Sequence, residues 1–231
     1  MQKYKVIFFD LDHTLWDYDK NSHETLHELY HSYELRTLCG FSFSQFYDRF
    51  GLVNHGLWNQ YHHGLIDRTV IHKERFGRIF NHFRITNPEL ALRISDDYLL
   101  KCPQKKNLFP YTHDVLHYLA KKYKLYILTN GFNDVQKIKI ARSALEHYFE
   151  DMITSETTGH RKPSKEIFDH ARGLAGAQSH ESLMIGDNLK ADIWGAKNAA
   201  IDSIYFNPLK KTHREPIEKE IHCLSQLMHI L

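Results

Sequence analysis

A chain of 231 residues, 42% hydrophobic and 25% charged, has room for one sizeable core, or for a core and a smaller accessory domain. Its formal net charge of +2 gives no electrostatic case for nucleic acid or an anionic membrane as partner, and no apolar run approaches the ~18 residues of a membrane span. The three cysteines, Cys39, Cys102 and Cys223, are odd in number and far apart, which argues against a disulfide framework and for a reducing, cytoplasmic setting.

The first predicted element is the apolar run Val6 to Phe9, read as a buried strand and too short for a signal segment. From about Asp17 to Gln104 helical patterns replace strands. Leu26, Leu29, Tyr30 and Tyr33 form an apolar stripe, Ser42 with Gln45 forms a capping box, and Asn87-Pro88 supplies an N-cap followed by proline. Strands then return at Leu125 to Leu128, Met152 to Thr154, Leu183 to Ile185 and Ser203 to Phe206. The intervening helices show apolar residues at Val115, Leu116 and Leu119, at Val135, Ile138 and Leu145, and at Ile167, Phe168 and Ala171. This alternation predicts an α/β fold, a doubly wound, Rossmann-like, parallel sheet of five strands built from residues 1–16 and 105–231. An all-helical module, residues 17–104, interrupts it after the first strand. The eighteen histidines are scattered without zinc-ligand spacing and are read as surface or boundary residues.

Chemistry concentrates where strands end. Asp10-Leu11-Asp12-His13-Thr14 leaves the first strand, and in an open parallel sheet ligands bind outside the carboxyl ends of the strands. One carboxylate there can attack phosphorus to form an acyl phosphate, while the other protonates the leaving alcohol and later deprotonates water. Thr14 can hold the loop in shape. Thr129-Asn130-Gly131, after the second strand, offers a hydroxyl and backbone N–H groups to phosphate oxygens. Lys162, just before the helix that Ser164 opens, can neutralise charge on phosphate and nucleophile. Asp187 leaves the fourth strand with Asp192 five residues on. In the sheet order 3-2-1-4-5 strands one and four are neighbours, so Asp10 and Asp187 meet and require a cation between them. All-oxygen ligation suits Mg2+ rather than zinc. Asp192 is expected to act from behind these residues, orienting a water or Lys162.

These four elements, each at the carboxyl end of its own strand, resemble the haloacid dehalogenase superfamily of phosphohydrolases. The resemblance spans essentially the whole chain, since a helical cap just after the first motif is the layout of the subgroup with a type 1 cap. It implies Asp10 as nucleophile, Asp12 as general acid/base with its backbone carbonyl on magnesium, Thr129 and Lys162 on phosphate, and Asp187 and Asp192 as the acidic motif, so that Asp10, Asp12 and Asp187 form the metal site. The dehalogenases lack an acid at the position of Asp12, which favours phosphoryl transfer here. Asp-Leu-Asp-His-Thr-Leu-Trp-Asp with Leu-Thr-Asn-Gly-Phe looks like the branch that dephosphorylates nucleoside monophosphates, pyrimidine ones above all.

The expected ligand is accordingly a small phosphorylated metabolite, a nucleoside monophosphate first, taken by a monomer or homodimer. The cap is rich in aromatic residues, most of them expected to form its own core; Trp16 and Tyr18, beside the catalytic loop, are the candidates for stacking on a base. Asn21 or Asn54 can supply polar contacts. A phosphosugar phosphatase or phosphomutase on the same scaffold is the alternative, and a binding protein without turnover is disfavoured by the intact set Asp10, Asp12, Lys162 and Asp187.

Overall fold

A computed structural model describes residues 3–231 and divides into two compact units, Met1–Tyr18 with Lys106–Leu231, and Asp19–Lys105. The first is the α/β core. Strand β1 (Val6–Phe9) enters it and the chain then leaves through helices α1 (Tyr18–Ser32), α2 (Leu35–Cys39), α3 (Phe43–His62), α4 (Arg68–His82) and α5 (Pro88–Lys101). It returns as α6 (Thr112–Ala120), β2 (Lys124–Thr129), α7 (Asn133–Arg142), β3 (Asp151–Thr154), α8 (Ser155–Thr158), α9 (Lys165–Ala175) and β4 (Ser182–Gly186). A π-helical stretch, Leu189–Trp194, runs into α10 (Gly195–Asn198), followed by β5 (Asp202–Phe206), β6 (Glu220–Ile221) and α11 (Leu227–Ile230).

The sheet order is β3-β2-β1-β4-β5-β6, with every pairing parallel. Five strands were expected and six are present among the described residues: β6 is two residues long and pairs with the end of β5, too short to leave an apolar run in the sequence. β1 lies between β2 and β4, with Phe9 in register with both Ile127 and Ile185. Alternation sends Val6 and Phe8 to one face, where Tyr126, Leu128, Ile153 and Met184 meet Ile167, Phe168 and Ala171 of α9. β1 is buried on both faces, as a central parallel strand must be.

Helix α9 buries the face its sequence advertises, and α7 does not. Its inward residues are Gln136, Lys139 and Ile140, whereas Val135 is half-buried, Ile138 is exposed, and Leu145 lies beyond the helix end. The expected stripe Val135, Ile138 and Leu145 therefore fails at Ile138, while Leu145 is buried past the end of the helix. The helix turns a polar face inward because a polar site lies there.

The second unit is all-helical. Ser42 and Gln45 make the predicted reciprocal cap of α3, and Asn87 caps α5 through Leu90 N–H ahead of Pro88 at the first turn. Most of its aromatic residues form its core, as expected: Phe46, Phe50 and Tyr61 are buried, and Phe41 stacks on Phe46 at 5.6 Å between ring centres. Asn21 and Asn54 are both buried in this unit. No helix is long and apolar enough to cross a membrane, among the described residues.

Candidate active site

Parallel pairing of β1 with β2 and β4 brings three chain segments to one end of the sheet. Asp10 follows β1, and its N–H donates to Ile185 O at 2.9 Å, tying the start of the loop to β4. Its Oδ1 accepts from Lys162 Nζ at 2.7 Å. The same ammonium donates to Asp192 Oδ1 at 2.6 Å and to Leu128 O at 2.7 Å, so its three N–H bonds all end on the protein. Lys162 is 3% exposed. Burial alone would lower its pKa, but the Asp10 and Asp192 carboxylates outweigh that, and the ammonium is held above the usual lysine range. Asp10 is pushed up to about 7 by burial, with the charges of Asp192 and Asp12 adding to it and Lys162 opposing.

The Lys162 loop is gripped by Asn130. Its amide Nδ2 donates to Lys162 O at 2.9 Å, and its Oδ1 accepts from Lys162 N at 2.8 Å. The Asn130 side chain is thereby committed to the backbone of the lysine loop, which leaves its backbone N–H as the group that the sequence offers to phosphate. The Lys162-Pro163 peptide is cis. Ser164 stands at the N-cap of α9 as expected, but its hydroxyl bonds to Glu166 rather than to a helix N–H.

Asp187 receives a bond from Thr14 Oγ1 at 3.4 Å, so Thr14 ties the first loop to the fourth. Burial, with the charges of Asp10 and Asp192, drives the Asp187 carboxyl well above its ordinary range against the pull of Lys162. Asp192 sits in the π-helical stretch, is fully buried, and accepts from Lys162 through Oδ1 and from Asn188 N through Oδ2 at 2.9 Å. Gly186 is required there, because a Cβ would lie 2.3 Å from Asp192 Oδ2. Ligand atoms of Asp10, Asp187 and Asp192 lie within 4.8 Å of one another. Three carboxylates around one ammonium carry excess negative charge, and hard oxygen donors of this kind fit a divalent cation such as Mg2+.

Asp12 faces the other way, toward α7. Its Oδ1 accepts from Lys139 Nζ at 2.6 Å and its Oδ2 from Gln136 Nε2 at 2.9 Å. Gln136 Nε2 also donates to Thr129 Oγ1 at 2.8 Å, and the Lys139 ammonium lies 4.4 Å from the centre of the Trp16 ring.

A family model for haloacid dehalogenase-like hydrolases matches residues 4–200. The chain belongs to this family. Pyrimidine 5′-nucleotidase PynA of Streptococcus pneumoniae is 32% identical over 89% of this hydrolase and 84% of its own length. Pyrimidine 5′-nucleotidase YjjG of Escherichia coli is 28% identical over 98% of each chain. A crystal structure of the HAD-hydrolase YfnB from Bacillus subtilis bound to magnesium superimposes with a TM-score of 0.88 at 26% identity, covering 99% of this hydrolase and 98% of that chain.

Within the hydrolase, Asp10, Lys162, Asp187 and Asp192 come together, and Thr129 joins Asp12 through Gln136. Trp16 is fully buried with Lys139 against its face, so the expectation that it stacks on a base is corrected. Tyr18 is half-buried and packs against His13 and the edge of Trp16. Gln136 and Lys139 were missed by sequence reasoning. Their signal was a polar pair spaced i, i+3 in the first turns of the helix after Thr129-Asn130-Gly131.

Proposed function

We propose that this hydrolase is a magnesium-dependent phosphomonoesterase that works through an aspartyl phosphate on Asp10, and that its substrates are nucleoside 5′-monophosphates. The observation that carries the reading is the Asp10 carboxylate held at 2.7 Å by a buried lysine, beside two further carboxylates in metal-binding range. The nucleotide part is supported by PynA and YjjG, both pyrimidine 5′-nucleotidases.

In this reading Asp10, Asp187 and the backbone carbonyl of Asp12 would hold Mg2+, which would supply charge neutralisation for a phosphate facing an aspartate nucleophile. Lys162 opposes protonation of Asp10 and aims it, and Asp192 holds Lys162 from behind. An Asp10 oxygen attacks phosphorus and the ester oxygen departs with a proton from Asp12. Asp12 then takes a proton from the water that hydrolyses the acyl phosphate, and phosphate leaves. Thr129 donates to a phosphate oxygen throughout.

Two experiments test this. A panel of phosphorylated metabolites assayed with Mg2+ is expected to rank pyrimidine nucleoside monophosphates first; a sugar phosphate in first place removes the nucleotide part. Phosphate retained on a second sugar hydroxyl marks a mutase instead. Asp10→Asn is expected to remove turnover while leaving the thermal transition in place, and substantial residual activity contradicts the nucleophilic role.

A further inference from the structure

We propose that Gln136 and Lys139 are positioning residues of the reaction, which from one face of α7 aim the Thr129 hydroxyl at phosphate and hold the Asp12 carboxyl for proton exchange with the leaving group. The inference rests on the phosphomonoesterase reading above and extends it to a helix that none of the four motifs includes.

The argument begins at Thr129. A hydroxyl has two acceptor lone pairs and one proton. Thr129 Oγ1 accepts from Gly131 N at 3.1 Å and from Gln136 Nε2 at 2.8 Å. Both acceptor positions are filled, so the O–H must be donated elsewhere, which is what an incoming phosphate oxygen requires. Without Gln136 the hydroxyl is free to turn its proton toward another acceptor.

The second N–H of the same amide goes to Asp12 Oδ2 at 2.9 Å. That fixes the amide orientation, because a flip would set Oε1 against a carboxylate oxygen. Gln136 is fully buried, and its Oε1 has no hydrogen-bond partner. A buried orphan acceptor is costly, and a leucine of similar size would avoid the cost. Gln136 is therefore held in place by what its two N–H groups do. Gly131 accommodates it: a Cβ at that position would lie 2.3 Å from Gln136 Nε2.

Lys139 completes the arrangement one helical turn later. It is 5% exposed, with its ammonium 2.6 Å from Asp12 Oδ1 and its position fixed against the Trp16 ring at 4.4 Å. Each oxygen of Asp12 thus has one donor from α7, which sets the plane of the carboxyl and leaves the remaining lone pair of each oxygen for proton exchange. One helix aligns the group that binds phosphate and the group that handles protons.

The experiment compares two esters under Mg2+, using kcat/KM because it reads formation of the phospho-enzyme and not its later hydrolysis. The alkyl ester is uridine 5′-monophosphate or, if that is refused, the best alkyl phosphate of the panel; its leaving group needs a proton. The aryl ester is p-nitrophenyl phosphate, whose leaving group departs as an anion near pH 7. Lys139→Met is expected to lower kcat/KM for the alkyl ester by about 10²-fold, the scale of general-acid assistance, and for the aryl ester by less than about tenfold. Lys139→Arg, which keeps a cationic donor, is expected to recover part of the alkyl activity. Gln136→Leu is expected to lower kcat/KM for both esters and to weaken inhibition by inorganic phosphate, through Thr129, which Lys139→Met does not. Equal losses on the two esters for Lys139→Met, or a Gln136→Leu enzyme with unchanged phosphate inhibition, overturn the proposal. Wild-type protein that hydrolyses neither ester overturns the phosphomonoesterase reading itself, and the two failures are thereby told apart.

Discussion

Helices α7 and α9 belong to the same core unit, yet they bury opposite chemistry. α9 buries Ile167, Phe168, Ala171 and Ala175 against the apolar side chains of β1, β2 and β4. α7 buries Gln136 and Lys139 with Ile140, and leaves Ile138 exposed. The inward face of α9 is held by area removed from water, which needs no particular partner. That of α7 is held by four directed contacts to Asp12, Thr129 and Trp16, each with a named atom at the other end. A helix beside a catalytic loop can therefore give up an apolar stripe without losing its place.

The difference can be broken at its strongest point by Phe168→Ala. Phe168 is fully buried, and the truncation is expected to destabilise the fold by about 3–5 kcal/mol in a denaturant titration, while the kcat of the protein that remains folded is unchanged. If instead activity falls and stability holds, α9 is serving the site and the contrast with α7 fails. The converse substitution on the α7 side is Gly131→Ala. Its Cβ displaces Gln136, so activity is expected to fall on the order of 10²-fold, as misplacement near the chemistry does, with a smaller loss of stability than for Phe168→Ala.

The polar side should also show a pH signature that the apolar side lacks. Asp10 has an ordinary pKa of 3.8 and a folded value raised to about 7, so between these values the folded state holds a proton that the unfolded state has released. The stabilisation from that proton is complete below the unfolded pKa and is lost as pH rises through the folded one. In metal-free protein the thermal midpoint is expected to fall as pH rises from about 4 to about 7, and the slope should shrink in Asp10→Asn. A slope unchanged by the substitution assigns the titration to other groups. The smallest expected effect is that of Ile138→Ser, within about 0.5 kcal/mol and without change in activity, because the side chain that looked like core is on the surface of α7.

The same contrast shows which parts of the fold and the site were legible. Runs such as Val6–Phe9 and Leu183–Ile185 are buried on both faces, so continuous hydrophobicity marked them, and the expected order 3-2-1-4-5 is the one the sheet adopts for these strands. The two-residue β6 carries no such run and was invisible. Asp10, Lys162, Asp187 and Asp192 were legible because each follows or precedes a regular element and they come together as the sheet order required. The side-chain role of Asn130 was not legible, since nothing local says that its amide grips a backbone 32 residues away.

Asp10 at the end of a strand, a carboxylate two residues on, a lysine before a helix and an acidic motif after the fourth strand are facts of the sequence by itself, and with them the class of chemistry. Periodicity and strand ends are local properties that survive in one dimension. Only the tertiary structure decided that Trp16 lies buried under an ammonium, that Asn130 holds the Lys162 loop, and that Gln136 and Lys139 reach Asp12 from more than a hundred residues away. Those assignments depend on which polar atoms meet when the sheet closes, and a buried polar group declares its partner only in three dimensions.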